Sequence, residues 1–412
     1  METESFRALL TDRGRALLTE LRGFTPDQEL ALATRLRREY PAELVRAAFE
    51  QAALRQRARA KFGPDADAMF FTPDGVEQAT RRSVAEWRAA RFAALGVKRL
   101  ADLCCGIGGD AIALARAGVA VLAVDRSPLT CAVAEANAAA LGLAELIEVR
   151  CADVAEIDVT GFDAVFTDPA RRTARGRVFD PEAYSPPLSW AVAAARRTPY
   201  GALKVAPGIP HELVPEGAEA EWVSDHGEVK EAVLWFGTGA AEPHRATLLP
   251  GGHTLTGGRP APAGDGDGGD GGHGDGGHGD RAAAVGTGRV GRYLYEPDGA
   301  VIRAHLIAEV AGRIGARPVD PMIAYLTSDR LVATPYAQAY ELTDVLPYKV
   351  KTLKSLLRER RVGTVVIKKR GVSVLPEELR RQLKPSGPNA VTVILCRTDD
   401  GPLMMLGQPV GG

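Results

Sequence analysis

Cysteine is scarce in this chain of 412 residues, and long apolar runs are absent. The five cysteines are odd in number and include no C-x-x-C pair, so we expect neither a disulfide framework nor a metal site built from them. Free cysteines in a chain of this size are typical of a reducing compartment. No run approaches the roughly 18 apolar residues of a membrane-spanning helix, and the N-terminal sequence lacks a signal-peptide core. The sequence therefore predicts a cytoplasmic protein without a transmembrane segment.

An excess of charge of either sign is also lacking. The net charge is −1, with 51 basic and 52 acidic residues, so any preference for nucleic acid must be local. Apolar residues make up 45 % of the chain, which is enough for a large buried core. Because 412 residues exceed the size of one ordinary domain, we expect two or three domains.

The pattern of apolar residues changes along the chain and predicts four parts. Residues 1–62 have the spacing of helices, and residues 63–255 alternate between strand-length and helix-length apolar runs. Residues 256–288 consist mainly of Gly, Asp, His and Pro, and residues 289–412 again mix strands with helices. The sequence therefore predicts a helical N-terminal region, an α/β domain, a linker and a separate C-terminal α/β domain with an antiparallel sheet.

Two helix starts are marked within the N-terminal region. Thr25 can cap a helix, Pro26 suits its first position, and Gln28 completes a capping box. A second helix is expected from Pro41, and the basic residues at 55–61 are interpreted as its solvated face. The predicted apolar face of this second helix consists of Leu44, Val45, Ala48, Phe49 and Ala52.

The linker has no residues with which to build a core, so we expect it to be disordered. The alternative is a metal site built from its acidic and histidine side chains. Glycine-rich calcium repeats carry an apolar residue in each repeat, and none is present here, so we expect no metal. The candidate ligands of that alternative are Asp265, Asp267, Asp270, His273, Asp275 and His278.

The order strand, helix, strand, helix, strand begins near Val97 and predicts a parallel sheet with helices on both faces. Residues 101–110, with the sequence ADLCCGIGGD, follow the first strand and open a helix. Gly106 and Gly108 allow a sharp turn and the close approach of a ligand, and the helix start offers free N–H groups. Asp102, at the end of the strand, can hold a cationic amine such as that of a methionine.

Three further carboxylates follow at predicted strand ends. Asp125 ends the second strand, where a carboxylate can pair with two ribose hydroxyls. Asp153 ends the third strand, where it can accept from an adenine amino group, and Asp168 with Pro169 ends the fourth. Since the carboxyl ends of parallel strands share one edge, all these acids are expected to line one ligand crevice.

Two cofactors fit the glycine pattern. Residues 106–111 also fit the G-x-G-x-x-A pattern of dinucleotide-binding enzymes, with Asp125 as the ribose acid. Asp102, Asp153 and Asp168 have no role in that interpretation, so the combination favours S-adenosylmethionine (SAM). That the acids merely cap helices is a further alternative, but it suits one or two of them better than four.

Residues 97–240 resemble class I SAM-dependent methyltransferases. The run D-x-C-C-G-x-G-G-D resembles their first motif, Asp125 their second, Asp153 their third and residues 167–172 (TDPARR) their fourth. The segments FTPDGVEQAT (71–80), KVAPGIP and VIKKRGV extend the resemblance over nearly the whole chain, to bacterial methyltransferases with a THUMP-like C-terminal domain. The resemblance implies a Rossmann-like fold and SAM as cofactor. The candidate cofactor-binding residues are Asp102, Cys104, Gly106, Gly108, Asp125, Arg126 and Asp153.

The fourth motif carries the candidate catalytic residues, Asp168 and Pro169. In amino-methyltransferases that act on bases, this motif continues with a second proline and an aromatic residue that stacks on the extruded base. Here Ala170 and Arg171 stand in those places, which weakens the case for such chemistry. Uracil C5-methyltransferases need a cysteine after the next strand, and GALKVAPGIP has none. The alternative role for Asp168 is to bind the cofactor or brace the loop.

Two basic segments suggest a polyanionic substrate. One follows Asp168 and includes Arg171 and Arg172; the other runs from Lys349 to Lys384, with twelve Lys or Arg and three Glu. Aromatic residues near the second segment are few, which favours recognition of the shape or backbone of a folded RNA. Solvated basic surfaces are the alternative in both cases. The candidate substrate-binding residues are Arg171, Arg172, Lys368, Lys369 and Arg370.

The preferred hypothesis is a SAM-dependent methyltransferase that acts on RNA, with tRNA as the favoured substrate, since true THUMP domains belong to tRNA-binding enzymes. One alternative is a methyltransferase that acts on a small molecule or a protein. Another is a non-catalytic module that binds SAM and RNA.

Overall fold

The computed structural model describes residues 2–170, 172–173, 176–177, 180–258 and 289–410. The chain packs as two compact units. The first comprises Met1–Ala218 and Glu231–Gly239, and the second comprises Glu219–Lys230 and Ala240–Gly412. The ligands of the alternative metal site, Asp265 to His278, lie outside the described residues, as does most of the predicted linker.

The helices are α1 (Thr3–Leu9), α2 (Asp12–Glu20), α3 (Glu29–Leu36), α4 (Ala42–Phe62), α5 (Pro73–Gln78), α6 (Arg82–Ala94), α7 (Gly109–Arg116), α8 (Pro128–Ala140), α9 (Leu188–Ala195), α10 (Gly299–Arg303), α11 (Ile307–Ile314), α12 (Val350–Glu359) and α13 (Pro376–Leu383). The strands are β1 (Arg99–Leu103), β2 (Ala120–Asp125), β3 (Ile147–Cys151), β4 (Ala164–Thr167), β5 (Arg172–Thr173), β6 (Gly176–Arg177), β7 (Tyr200–Val205), β8 (Glu219–Asp225), β9 (Glu228–Phe236), β10 (His244–Leu249), β11 (His253–Gly257), β12 (Tyr293–Pro297), β13 (Arg317–Asp320), β14 (Ile323–Ser328), β15 (Ala337–Pro347), β16 (Val362–Arg370), β17 (Asn389–Cys396) and β18 (Leu403–Val410).

The sheet of the first unit has the strand order β3–β2–β1–β4–β7–β9. The first five strands are parallel, and β9 runs antiparallel to β7. The chain order reverses between β1 and β4, and open α/β sheets bind ligands at such a point, beyond the carboxyl ends of the strands. This arrangement confirms the predicted Rossmann-like fold.

The N-terminal helices share the core of the first unit. Helix α4 follows Pro41, as predicted, and its five predicted apolar residues are buried. Phe6 and Leu17 belong to the same buried cluster as Ile112 of α7 and Val133 of α8. These helices therefore pack against the layer that carries the glycine-rich loop.

Two local predictions for these helices need correction. The helix expected at Thr25 begins with a 3-10 turn over Pro26–Gln28, where the Thr25 N–H donates to Gln28 Oε1 at 3.4 Å, and α3 follows. The basic face at 55–61 is only partly solvated. Arg55 Nε donates to the Met69 carbonyl at 2.8 Å, and Lys61 Nζ donates to the Ala79 carbonyl at 3.0 Å. Both side chains thus fasten α4 to the segment that follows it.

The second unit contains a seven-stranded sheet in the order β13–β14–β12–β15–β18–β17–β16. All neighbouring strands are antiparallel except β16 and β17, which largely confirms the predicted antiparallel sheet. Helices α12 and α13 pack on the sheet through Leu353, Leu357, Leu379 and Leu383. Two short helices, α10 and α11, follow β12, and His305 between them adopts a positive φ of 57°.

Strands β8, β10 and β11 also belong to the second unit. Strand β10 runs parallel to β8 and antiparallel to β11. Strands β8 and β9 are joined by a turn at His226 and Gly227, and both residues have positive φ. In the described parts of the chain, every helix is too short or too polar to cross a bilayer.

Candidate cofactor and acceptor site

Asp102 is an unpartnered carboxylate at the carboxyl end of β1. Its side chain is buried, and neither oxygen has a hydrogen-bond partner among the described residues. Burial, with Asp110 and Asp168 nearby, raises the pKa of Asp102 well above its usual range. A buried carboxylate without partners is costly. Its position therefore suits a ligand that brings a cationic group.

The glycine-rich loop after β1 is built from left-handed residues. Cys104, Gly106 and Gly108 have φ values of 72°, 56° and 86°. The Gly106 N–H donates to Asp125 Oδ2 at 3.2 Å, while Asp125 Oδ1 accepts from the Ser127 N–H at 2.9 Å. Asp125, at the end of β2, therefore fixes the loop in front of α7, which starts at Gly109.

Arg126 and Asp153 lie at the periphery of this loop. Arg126 is exposed directly after Asp125. Strand β3 ends at Cys151, so Asp153 lies two residues beyond the strand end at which it was predicted. Asp153 is exposed, and its Oδ1 accepts from the Ala155 N–H at 2.9 Å to cap a 3-10 turn. In this structure Asp153 therefore caps a helical turn, which is the alternative role considered for these acids.

Asp168 and Lys204 form an ion pair at the same edge of the sheet. Asp168 follows β4 directly, and Lys204 is the penultimate residue of β7. The β4–β7 ladder pairs Thr167 with Leu203, so the next two residues lie side by side. Lys204 Nζ donates to Asp168 Oδ2 at 2.7 Å and to the Thr80 hydroxyl at 2.9 Å. Burial lowers the pKa of Lys204, but Asp168 and Glu231 outweigh it and raise the pKa overall.

Arg88 extends this pair into a buried network of charges. It lies on α6, over the ring of Phe166 at 4.4 Å, and donates hydrogen bonds to Asp110 and Glu231. Burial lowers the pKa of Arg88, but the two acids outweigh it, so the pKa is raised. Glu231 Oε2 lies 4.0 Å from Lys204 Nζ. A continuous line of charges therefore connects the first turn of α7 with Asp168.

Sequence reasoning missed the three interior members of this network, namely Arg88, Lys204 and Glu231. The available signal for Lys204 was an isolated charge within the strand-length apolar run GALKVAPG, and for Glu231 it was a charge at the start of such a run, EAVLWFG. Such a charge on a central strand must be paired, because an unpaired buried charge is strongly unfavourable.

Residues 70–80 lie against the glycine-rich loop. Asn137 of α8 accepts from the Phe70 N–H at 2.6 Å and donates to the carbonyls of Phe70 and Ile107 at 3.0 and 2.9 Å. A Cβ atom at Gly75 would lie 2.5 Å from Ile107 Cγ2, so only glycine fits there. The segment FTPDGVEQAT is therefore part of the wall around the loop.

The predicted substrate-binding residues are not a single surface. Arg171 lies outside the described residues, and Arg172 begins the two-residue strand β5. Strand β16 ends at Arg370, and its last three residues alternate between two faces. Lys368 Nζ is 2.5 Å from Glu296, and Arg370 lies 3.7 Å from the same acid. Lys369 points to the opposite face and is exposed.

The exposed cations of this region lie mainly on α12, on α13 and in the turns that follow them. Arg380 of α13 pairs with Glu377, and Lys368 and Arg370 share the single negative charge of Glu296. Six exposed cations on or beside the two helices form no ion pair within the part of the chain that the structure describes, namely Lys349, Lys351, Arg358, Arg361, Arg381 and Lys384.

Three family descriptions match parts of the chain. Residues 100–173 match a methyltransferase domain, residues 337–409 match a THUMP domain-like family, and residues 2–58 match a domain of unknown function. The methyltransferase match contains the glycine-rich loop and Asp168. The THUMP-like match contains α12, α13 and β16.

Similar proteins extend over almost the entire chain. Uncharacterized S-adenosylmethionine-dependent methyltransferases from two strains of Mycobacterium tuberculosis, CDC 1551 and H37Rv, are each 33 % identical over 366 residues. These alignments cover 86 % of this chain and 93 % of each relative. The crystal structure of a proposed methyltransferase from Porphyromonas gingivalis W83 covers 96 % of this chain and 98 % of its own, with a TM-score of 0.73 and 22 % identity. The similarity to this crystal structure shows that the two chains share a fold.

The reversed parallel sheet, the glycine-rich loop and the methyltransferase match define a class I methyltransferase, an enzyme that uses SAM as its cofactor. Within that class, the chain belongs to the family of SAM-dependent methyltransferases with a THUMP-like C-terminal domain.

Proposed function

We propose that this enzyme methylates RNA, with tRNA as the substrate, and that α12 and α13 supply the surface that binds phosphates. The observation that carries the proposal is the set of exposed, unpaired cations on these helices, within residues that match a THUMP domain-like family. In a chain of net charge −1, this is a local segregation of positive charge. Lysine and arginine side chains in such a cluster bind the nucleic-acid backbone with little dependence on sequence.

The residues around the glycine-rich loop fit SAM. Asp102, with two unpartnered oxygens, would hold the α-amino group, and the backbone of Cys104, Gly106 and Gly108 leaves room for close approach. Asp125 retains lone pairs for ribose hydroxyls after accepting its two backbone bonds. Arg126 and Asp153 would contribute from the exposed rim.

The cofactor supplies an activated methyl group on a sulfonium, so the protein has to orient the acceptor and exclude water. Asp168 and Pro169 lie at the edge of the sheet where the acceptor would enter. Asp168 Oδ2 accepts from Lys204, whereas Oδ1 has no hydrogen-bond partner within the described chain. That free oxygen would accept a hydrogen bond from the acceptor group.

The test is transfer of labelled methyl from SAM to small RNA taken from cells that lack this protein. We expect label in tRNA, and we expect Asp168→Ala to abolish it while calorimetry still detects SAM binding. Asp158→Ala is the matched control, because Asp158 is an exposed acid outside the proposed site. Intact SAM binding without label in any RNA would contradict the proposal and would direct the search to proteins and small molecules.

A further inference from the structure

We infer that the acceptor atom is a hydroxyl oxygen, which in RNA is the 2′-hydroxyl of a ribose, and that Lys204 is the residue that sets this preference. The inference rests on the proposed function for the identity of the substrate. It derives from the ion pair between Asp168 and Lys204 and from the acid behind that pair, Glu231.

These three charges lie at increasing depth from the edge of the sheet. The exposed fraction of the side chain falls from 24 % for Asp168 to 6 % for Lys204 and 2 % for Glu231. An acceptor can therefore reach Asp168 but not Glu231. Arg88 binds Glu231 from the interior, so the acid that holds Lys204 in place is itself fixed.

The ion pair at this edge separates the possible acceptors. An acceptor bound to Asp168 Oδ1 lies across the carboxylate from the Lys204 ammonium, which donates to Oδ2 at 2.7 Å. Because Lys204 offsets the charge of Asp168, the pair offers little net attraction to the positive charge that a nitrogen acceptor gains as its bond to the methyl group forms. A hydroxyl oxygen instead loses its proton as that bond forms, and the free carboxylate oxygen is placed to accept this proton. The site therefore favours oxygen over nitrogen.

A carbon acceptor is disfavoured on separate grounds. Carbon methylation of a pyrimidine uses a thiolate nucleophile, and burial, together with nearby acids, raises the pKa of the thiols of Cys104 and Cys105. Both thiols lie in the glycine-rich loop.

The amino group of a base is disfavoured as the acceptor by the backbone at Ala170, which stands in place of the second proline of base-modifying enzymes. The Ala170 N–H donates to the Ser185 carbonyl at 2.9 Å, and the Ala170 carbonyl accepts from the Ser185 N–H at 3.1 Å. The Ala170 carbonyl is therefore already hydrogen-bonded within the protein.

Methyl transfer to the hydroxyl requires one bond to form, one to break and one proton to leave. The acceptor oxygen forms a bond to the methyl carbon, and the bond from that carbon to sulfur breaks, leaving its electron pair on the sulfur. The hydroxyl proton passes to Asp168 Oδ1 and from there to solvent. Lys204 stays protonated throughout, in keeping with its raised pKa, and acts as a positioning residue for Asp168.

The experiment determines where the label resides in RNA methylated by the wild-type enzyme. Alkali cleaves RNA by attack of the 2′-hydroxyl on the adjacent phosphate, so 2′-O-methylation leaves an alkali-stable dinucleotide. RNA from cells that lack the protein is labelled from SAM, hydrolysed in alkali and separated by charge. We expect the label in dinucleotides. Label in mononucleotides would overturn the inference while leaving the RNA proposal intact, and RNA without label would overturn both.

Variants of Lys204 provide a second, independent test. Lys204→Met should lower transfer about 100-fold, the order expected when a group that contacts the substrate loses the partner that positions it. The SAM affinity measured by calorimetry should stay within about twofold, because the lysine acts on the acceptor side. Lys204→Arg, which keeps the cation, should recover part of the activity. Transfer at the wild-type rate by Lys204→Met would overturn the role of Lys204. If that variant fails to fold, the alkali analysis of wild-type product still decides the nature of the acceptor.

Discussion

Asp168 follows the end of β4, and Lys204 lies beside it near the end of the neighbouring parallel strand β7. The Asp168 carboxylate oxygen and the Lys204 ammonium nitrogen are 2.7 Å apart. Because Lys204 is buried, its removal leaves Asp168 and Glu231 without their shared cation. We expect Lys204→Met to lower the free energy of unfolding by about 3 kcal/mol, the lower end for breaking a buried ion pair, since Asp168 is partly exposed. Urea denaturation measures this.

A double-mutant cycle separates the pairing of Lys204 and Glu231 from general disruption. Lys204→Met with Glu231→Gln removes both charges, so the combined destabilisation should be smaller than the sum of the two single effects by roughly 1 kcal/mol or more. Additive effects would show that the two side chains, 4.0 Å apart, do not interact in solution.

Asp102 couples stability to pH through its raised pKa. In the unfolded chain Asp102 loses its proton near the ordinary aspartate pKa of about 3.9, whereas in the folded protein it keeps this proton to a higher pH. The free energy of unfolding therefore falls as the pH rises from the unfolded pKa to the folded pKa of Asp102. Asp102→Asn has no charge to bury. We therefore expect it to raise Tm at neutral pH, to have little effect below about pH 4, and to weaken SAM binding.

Thermal scans of wild type and Asp102→Asn from acidic to neutral pH measure that difference. Asp153→Asn is the control, because this exposed residue can still cap its turn as an asparagine and should leave Tm unchanged. A constant Tm difference between wild type and Asp102→Asn at all pH values would contradict the prediction.

Cys104 holds a left-handed conformation that favours glycine. A non-glycine residue at φ 72° costs about 1–3 kcal/mol. Cys104→Gly removes that strain but adds roughly 0.5–1 kcal/mol of backbone entropy to the unfolded chain. We therefore expect the free energy of unfolding to stay the same or to rise by at most about 2.5 kcal/mol, as measured by urea denaturation.

The neighbouring cysteine supplies the matched control. Cys105 is buried and has no positive φ, so Cys105→Gly loses apolar burial and gains only backbone freedom. It should lower the free energy of unfolding. Equal destabilisation by both variants would show that the conformation of Cys104 carries no strain.

The exposed face of α12 should contribute to RNA affinity. Lys351 and Arg358 are seven residues apart, so they share one face of the helix, away from the buried Leu353 and Leu357. Reversing both charges with Lys351→Glu and Arg358→Glu should weaken RNA binding. The slope of log K for RNA binding against the logarithm of the salt concentration should also become shallower, by about 1 for each phosphate that the protein no longer neutralises. Filter binding over a range of salt concentrations measures both.

Lys368→Gln tests the specificity of that effect. Lys368 is paired with Glu296 at 2.5 Å, so its removal should leave the salt slope unchanged. Circular dichroism confirms that the variants are folded. A greater weakening of RNA binding by Lys368→Gln than by the α12 variant would place the phosphate-binding residues on β16 instead.

The sequence was most informative where a single local rule determined the structure. Short apolar runs that end in Gly or Asp indicated β1, β2 and β4, and the helix expected after Pro41 was confirmed as α4. These elements follow from hydrophobic periodicity and chain reversals, which neighbouring residues determine.

Features that depend on distant partners could not be predicted in the same way. Arg88 of α6 and Glu231 of β9 are separated by 143 residues and meet only because this helix packs on the sheet. Lys368, by contrast, was predicted to bind phosphate, but its charge is matched by Glu296, 72 residues away. A basic run in a sequence gives the number of cations, whereas tertiary structure decides which of them remain available.

The amide of Asn137 has consequences for how this enzyme could have evolved. It bonds to Phe70, whose ring packs edge-on against Phe6 of α1 at 5.6 Å, and also to Ile107 in the glycine-rich loop. A recombination event that exchanged the N-terminal helices would remove Phe6, against which the Phe70 ring packs, and would disturb the backbone that makes two of the three hydrogen bonds to this buried amide. Because Asn137 also holds Ile107 in the glycine-rich loop, such a chimera would have a misplaced loop and would be selected against. We therefore expect the N-terminal helices and the catalytic sheet to be inherited together.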